Sequence, residues 1–242
     1  MKILVLSDIH ANITALEAVL EAAGKVDAVW CLGDLVGYGA DLDECVNRVR
    51  ALPQLLCVKG NHDLAISDDE SLEIFNPEAS EAILASRRRI SPENIVYLQQ
   101  LPDILATNFA TLVHGSPQDP YWEYILDVEA AGENLEQVST PLIFVGHSHM
   151  PLMFTKDDRI GKITRSFPTA EVRIPLPGRA ILNPGSVGQP RDNDPRASFG
   201  LFDPEEWTWE IRRVPYDIAS VQARIRAAGL PERNALRLDA GW

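Results

Sequence analysis

Ile3-Leu4-Val5-Leu6-Ser7-Asp8-Ile9-His10 decides the fold: four apolar residues run straight into a carboxylate and an imidazole two positions apart. Side chains alternate along an extended segment, so Asp8 and His10 are expected to project to one side where a buried strand runs out. One carboxylate and one imidazole make half of a metal's coordination shell. The remaining ligands must come from later strands, and the chain offers them in Gly33-Asp34, Gly60-Asn61-His62-Asp63, Val113-His114-Gly115 and Gly146-His147-Ser148-His149. The five histidines of the chain all fall within these fragments.

Outward from that stretch, strand and helix alternate. Asn12 caps a helix whose apolar positions Ile13, Leu16, Val19 and Leu20 recur at helical spacing and which Gly24 ends. A strand from Asp27 to Leu32, a helix through Glu44, Cys45, Val46, Val49 and Leu52 stopped by Pro53, and a strand from Leu55 to Val58 follow. This order signals parallel βαβ units, in which ligands sit beyond the carboxyl ends of the strands. All three early motifs fall there. Residues 64–107 turn polar and helical, with the charge runs Asp68-Asp69-Glu70 and Arg87-Arg88-Arg89 read as solvated helix faces. Asn76-Pro77 and Ser91-Pro92 each pair a cap with proline at the first helical position. The segment is expected to form a helical cap over one side of the site.

Next come a strand ending at His114, a helix from Asp127 to Val138 and a strand from Leu142 to Val145. Short β-like runs follow (Leu152 to Thr155, Lys162 to Arg165, Ala180 to Leu182, Phe199 to Phe202, Trp207 to Val214), separated by turns such as Asn183-Pro184-Gly185. They are expected to form an antiparallel second sheet packed on the first. A helix from Ile218 to Ala228 closes the pattern, and the sequence past Gly229 gives no reading. The expectation is therefore an α/β fold, a two-sheet sandwich flanked by helices, as one domain over residues 1–242.

Composition narrows the function. With 242 residues, 45% hydrophobic and 24% charged, the chain can bury a sizeable core. A formal net charge of −13 opposes strong nucleic-acid binding, which needs an excess of Lys and Arg. It leaves room for a small phosphate ester drawn to a locally positive site. Cys31, Cys45 and Cys57 are an odd set without metal-ligand spacing, which fits reduced thiols in the cytoplasm. The amino terminus enters a strand with no secretory signal, and no apolar run reaches membrane-spanning length. A cytoplasmic location without membrane association is expected, with a homo-oligomer left open.

Taken together, Asp-x-His, Gly-Asp, Gly-Asn-His-Asp, His and Gly-His-x-His in this order resemble the calcineurin-like metallophosphoesterases, and the compact size resembles their small bacterial and archaeal phosphodiesterases. The resemblance spans residue 3 to about residue 191. It implies that Asp8, His10 and His149 hold one metal, that Asn61, His114 and His147 hold a second, and that Asp34 bridges them. Imidazoles with carboxylate and amide oxygens suit Mn, Fe, Zn, Ni or Co. Two such ions about 3.5–4 Å apart can share a water, lower its pKa towards neutrality and clamp phosphoryl oxygens, so a bridging hydroxide is the expected nucleophile.

The same resemblance places His62 near the leaving group, where it donates a proton or stabilises charge, and not among the ligands, with Asp63 either orienting it or serving as a helix-cap or loop carboxylate. In Asn183 to Arg191, the glycine-rich turn with Ser186 can meet an anion while Arg191 forks onto a phosphate oxygen, or it is a plain turn between strands. Tyr38, Phe75, Tyr121, Trp122 and Tyr124 are candidates for an aromatic platform or for packing. After Gly33-Asp34 the chain lacks the Asp-Arg-Gly segment typical of the protein phosphatases and dinucleoside-polyphosphate hydrolases of the superfamily. The implied activity is hydrolysis of a small phosphodiester. Phosphomonoester hydrolysis, or a protein-binding scaffold of the same fold, are the alternatives.

Overall fold

In the computed structural model, which describes residues 1–157, 159–176 and 178–242, the alternating first quarter folds as the pattern demands. It comprises β1 (Ile3–Leu6), α1 (Ile13–Ala23), β2 (Ala28–Cys31), α2 (Leu42–Arg50), β3 (Leu55–Cys57) and the one-turn α3 (Asn61–Ala65). Asn12 caps α1 by accepting from the Ala15 N–H, and Gly24 terminates it at φ 65°. A one-turn 3-10 helix (Glu70–Glu73), α4 (Pro77–Arg87), α5 (Pro92–Gln100), β4 (Ile104–Ala106), β5 (Ala110–Val113), α6 (Val128–Gln137) and β6 (Leu142–Phe144) follow. The last third supplies β7 (Pro151–Lys156), β8 (Ile163–Ser166), β9 (Ile174–Pro175), β10 (Arg179–Pro184), β11 (Ala197–Asp203), β12 (Thr208–Val214), α7 (Ile218–Ala227) and α8 (Glu232–Ala240).

Two six-stranded sheets result, ordered β3-β2-β1-β11-β12-β9 and β4-β5-β6-β10-β7-β8. β1, β2 and β3 are parallel, as expected from the βαβ units. The later strands do not form an antiparallel sheet of their own, contrary to the sequence reading. β11 pairs antiparallel with β1 and carries β12 and β9 into the first sheet. β10 pairs parallel with β6 and antiparallel with β7, which makes the second sheet mixed. Alternation in short strands records which side is buried but not which neighbour is taken, so this partition could not be read from local pattern.

Strand alternation sorts the core into layers. Ile3 and Val5 face the space between the sheets with Trp30, Leu112, Phe144, Leu182, Phe202 and Trp209. Leu4 and Leu6 face the opposite way, onto Leu16, Val19, Val46 and Val49 of α1 and α2. On the second sheet Ile143, Phe154 and Ile181 turn outward onto Ala131 and Leu135 of α6. Both faces of the central strands are thus covered, which is why β1 and β6 read as unbroken apolar runs.

The segment 64–107 divides in two. α5 lies on the first core through Leu98 and Leu101, while α4 contributes Ala85 to a cluster with Val221 and Ile225 of α7 and Leu238 of α8. α8 lies in the stretch past Gly229 that had no legible pattern; exposed Glu232, Arg233 and Asp239 surround a single buried row of Asn234, Ala235 and Leu238.

Candidate metal centre

Every ligand-bearing motif sits just past the carboxyl end of a strand. β1 stops at Leu6, so Asp8 and His10 belong to a loop and not to an extended segment. Their φ angles are 54° and 48°, and those of Asp34, His147 and His149 are 55°, 62° and 59°. Strand alternation therefore does not bring Asp8 and His10 together, as the sequence reading assumed; left-handed backbone does. Such conformations cost a non-glycine residue roughly 1–2 kcal/mol each and persist only where surrounding structure enforces them. The enforcement is visible. His10 N–H donates to the Asp34 carbonyl at 2.9 Å, Asp8 N–H to Gly33 at 3.1 Å, Gly188 N–H to Asp8 at 2.9 Å and Gly146 N–H to His114 at 2.8 Å. These bonds lace loops from both sheets into one floor.

Onto this floor Asp8, His10, Asp34 and His149 bring one ligating atom each to within 4.8 Å of one another, all buried. His149 Nε2 stands 3.3 Å from Asp8 Oδ1, and His10 Nε2 stands 3.6 Å from Asp34 Oδ2. Asp34 faces both ways, because its Oδ2 is also 3.4 Å from His114 Nε2. His114 Nε2 in turn lies 3.0 Å from Asn61 Oδ1. His147 packs beside the His114 ring, with centroids 5.0 Å apart. The expected ligands thus converge, with Asp34 between the two groups.

Three of these histidines spend Nδ1 on backbone carbonyls: His10 on Val36 at 3.0 Å, His114 on Leu32 at 2.8 Å and His149 on Gln189 at 2.6 Å. That fixes the tautomer and turns each Nε2 lone pair inward, the usual arrangement behind a metal-bound imidazole. Both carboxylate oxygens of Asp8 and the Nε2 of His147 are buried without any hydrogen-bond partner. Leaving such atoms unpaired costs about 1–3 kcal/mol apiece, more when charged, and a cation satisfies them together. The residues present fit a divalent ion.

Charge states agree. Burial lowers His10 and His149 well below the usual imidazole range, and lowers His62 to about 4 and His147 to about 3. These rings are neutral, the form that binds metal. Burial raises Asp8 to about 7, reinforced by Asp34. For Asp34 burial is outweighed by His114, His62 and His10, which hold its carboxyl well below the usual carboxylate range. Against burial, Asp34 lifts His114 to about 9, so without an ion its Nε2 carries a proton, which a cation must displace to reach the lone pair.

Of the other expected site residues, His62, Tyr38 and Arg191 line a cleft of about 230 Å³ above this floor, with Phe75, Trp122 and Tyr124. Arg191 is positioned by neutral partners, Gln189 Oε1 at 2.9 Å and the Tyr38 hydroxyl at 3.4 Å. Asp63 does not touch the His62 ring nitrogens: its Oδ1 accepts from the Leu35 and Val36 N–H groups and its Oδ2 from Gly60. It ties the Asp34 loop to the start of α3. Ser186 is fully buried, donates to the Asp8 carbonyl at 2.8 Å and accepts from the Gln189 N–H, so it supports the floor from below. Sequence reasoning missed Ile74 and Asn76, which also line the cleft, and the carbonyls of Leu32, Val36 and Gln189. A carbonyl leaves no mark in a sequence.

A double sheet with carboxylates and imidazoles pooled at its strand ends is the framework of a metal-dependent phosphoesterase, and comparison with known proteins agrees. The chain belongs to the calcineurin-like phosphoesterase superfamily, whose domain pattern matches residues 1–206. It is similar to the crystal structure of a metallophosphoesterase from Sphaerobacter thermophilus, at 44% identity and a TM-score of 0.91, covering 100% of this chain and 99% of that one. An uncharacterized protein of Methanocaldococcus jannaschii is 38% identical across 99% of this chain and 98% of its own length. A hypothetical protein from Pyrococcus horikoshii shares the fold at 20% identity, with a TM-score of 0.80 and 100% and 98% coverage. Among the described residues no helix is long and apolar enough to cross a membrane.

Proposed function

We propose that this chain hydrolyses a small phosphodiester with two divalent ions, one held by Asp8, His10 and His149 and the other by Asn61, His114 and His147, with Asp34 shared. The observation that carries this reading is the convergence of inward lone pairs on Asp34, together with the unpartnered oxygens of Asp8 and nitrogen of His147. Ions of this kind acidify water and neutralise phosphoryl charge. The remaining work falls to the chain. Arg191 forks onto a phosphate oxygen, pre-aimed by Gln189 and Tyr38. His62 is neutral and its buried Nδ1 has no partner, so its proton belongs on Nε2, from which it hydrogen-bonds to the leaving oxygen and stabilises the charge that develops there. Asp63 acts as a positioning residue by holding the Asp34 loop.

The cleft of about 230 Å³ has one arginine, Arg191, in its wall, which suits a singly charged diester better than a doubly charged monoester. Free, buried Cys31, Cys45 and Cys57 support a reducing, cytoplasmic setting. The deciding experiment compares an aryl diester and an aryl monoester with Mn²⁺, Fe²⁺, Zn²⁺, Ni²⁺ or Co²⁺ and after chelation. Metal-dependent turnover with the diester favoured is expected. Preference for the monoester would make the chain a phosphatase, and turnover of neither with any ion would leave a binding scaffold.

A further inference from the structure

The cleft that Arg191 lines is aromatic to a degree that a phosphate alone does not need. Trp122 and Phe75 meet at a ring-centroid distance of 5.1 Å and an angle of 74°, and Phe75 in turn meets the His62 ring at 4.8 Å. Tyr124 stacks on His147 at 3.9 Å and 16° while remaining 46% exposed, and Ile74 beside Phe75 is 60% exposed. These groups come from two separate segments, the turn before α4 and the loop between β5 and α6. Exposed apolar surface next to a polar, charged floor is unfavourable to maintain in water, and its usual purpose is to receive a ligand. The path from the floor to this wall runs through His62, the proposed leaving-group donor. The cleft of about 230 Å³ is at the small end for organic ligands, with room for a phosphoryl group and one planar ring system but not for a polymer.

We infer that the substrate carries a single planar ring system on its leaving side, and that Trp122 and Phe75, with Tyr124 at the mouth, bind it by stacking, so that the natural substrate class is a mononucleotide ester. This rests on the phosphoesterase reading and narrows it. Any base offers a π-face, so the wall gives affinity for a base with little choice among bases. A formal net charge of −13 disfavours longer, polyanionic nucleic acid as the occupant.

Adenosine 5′-monophosphate and ribose 5-phosphate, which differ only in the base, form the probe pair, titrated calorimetrically into the full chain and into Trp122→Ala, Phe75→Ala and Trp122→Phe. The nucleotide is expected to bind about 5- to 100-fold more tightly than the sugar phosphate. The gap should collapse in each alanine variant and largely survive in Trp122→Phe, whose melting temperature controls for folding. Equal affinities, no binding of either probe at millimolar concentration, or a gap untouched by both alanine variants would overturn the inference. Because binding is read without turnover, a persistent gap in a protein that hydrolyses nothing would sink the catalytic reading and leave the ring site standing.

Discussion

The Nε2 atoms of His10 and His149 face each other at 3.2 Å, although both rings have already given their Nδ1 protons to the Val36 and Gln189 carbonyls. Neither nitrogen of the pair carries a proton to share, since burial keeps both rings neutral. Two lone pairs at that distance repel unless a cation lies against them. Divalent metal should therefore stabilise the fold strongly. At a hundred-fold excess over the dissociation constant, a ligand confined to the native state adds about 2.7 kcal/mol. A thermal melt should rise by several degrees with Mn²⁺ and fall back on chelation, and His149→Ala should abolish most of the difference. An unchanged melt would mean that no ion binds there.

Metal loss is also expected from a residue that is no ligand. A Cβ on Gly60 would overlap both the Oδ1 and the backbone nitrogen of Asp34. Gly60→Ala should thus displace the shared carboxylate and reduce bound metal, as Asp34→Asn does directly, with activity falling in both. Elemental analysis of the purified variants checks this; full occupancy in Asp34→Asn would remove the residue from its bridging role.

His62 should separate chemistry from binding. Loss of a positioned hydrogen-bond donor to the leaving group lowers turnover by about 10²- to 10³-fold. His62→Ala is expected to show that loss at full metal content. If the variant came out of purification depleted of metal, His62 would have to be reassigned as a ligand.

Away from the site, Asp43 on α2 accepts from the Ser91 N–H and hydroxyl at 3.1 and 2.8 Å and from the Asn94 amide at 2.6 Å. Burial opposes its ionisation slightly, but these donors outweigh it and hold its carboxyl below the usual range. A group whose pKa is lower in the folded chain contributes stability above its unfolded pKa and loses it as pH falls through the folded value. Asp43→Asn should cost about 1 kcal/mol at pH 7. Denaturant midpoints for the two proteins should converge in strongly acidic buffer, below the usual aspartate range; a constant offset across the whole range would assign the effect to packing.

What could be read from sequence was the chemistry carried by side chains of special type. Asp8, His10, Asp34, Asn61, His114, His147 and His149 stand out as ligand candidates because the ordered motifs that carry them, with His62, use every histidine of the chain and resemble one family. The means of their convergence was not legible, since left-handed backbone at Asp8 and His10 depends on hydrogen bonds to Gly33 and Asp34 in a distant loop. Nor did the sequence reveal that β11 and β10 join different sheets, a choice made by non-local pairing. Ser186 illustrates the same limit. A serine in a glycine-rich turn offers a hydroxyl in any direction, and here it points under the floor to the Asp8 carbonyl.

Five of the seven proposed ligand positions hold a backbone that L-residues resist. That resistance, together with the unpaired buried atoms of Asp8 and His147, is stability the metal-free chain gives up, about 1–2 kcal/mol per strained position. Selection for thermal robustness alone would then erode these loops. Their survival in this chain marks them as places where the sequence has kept work in preference to durability.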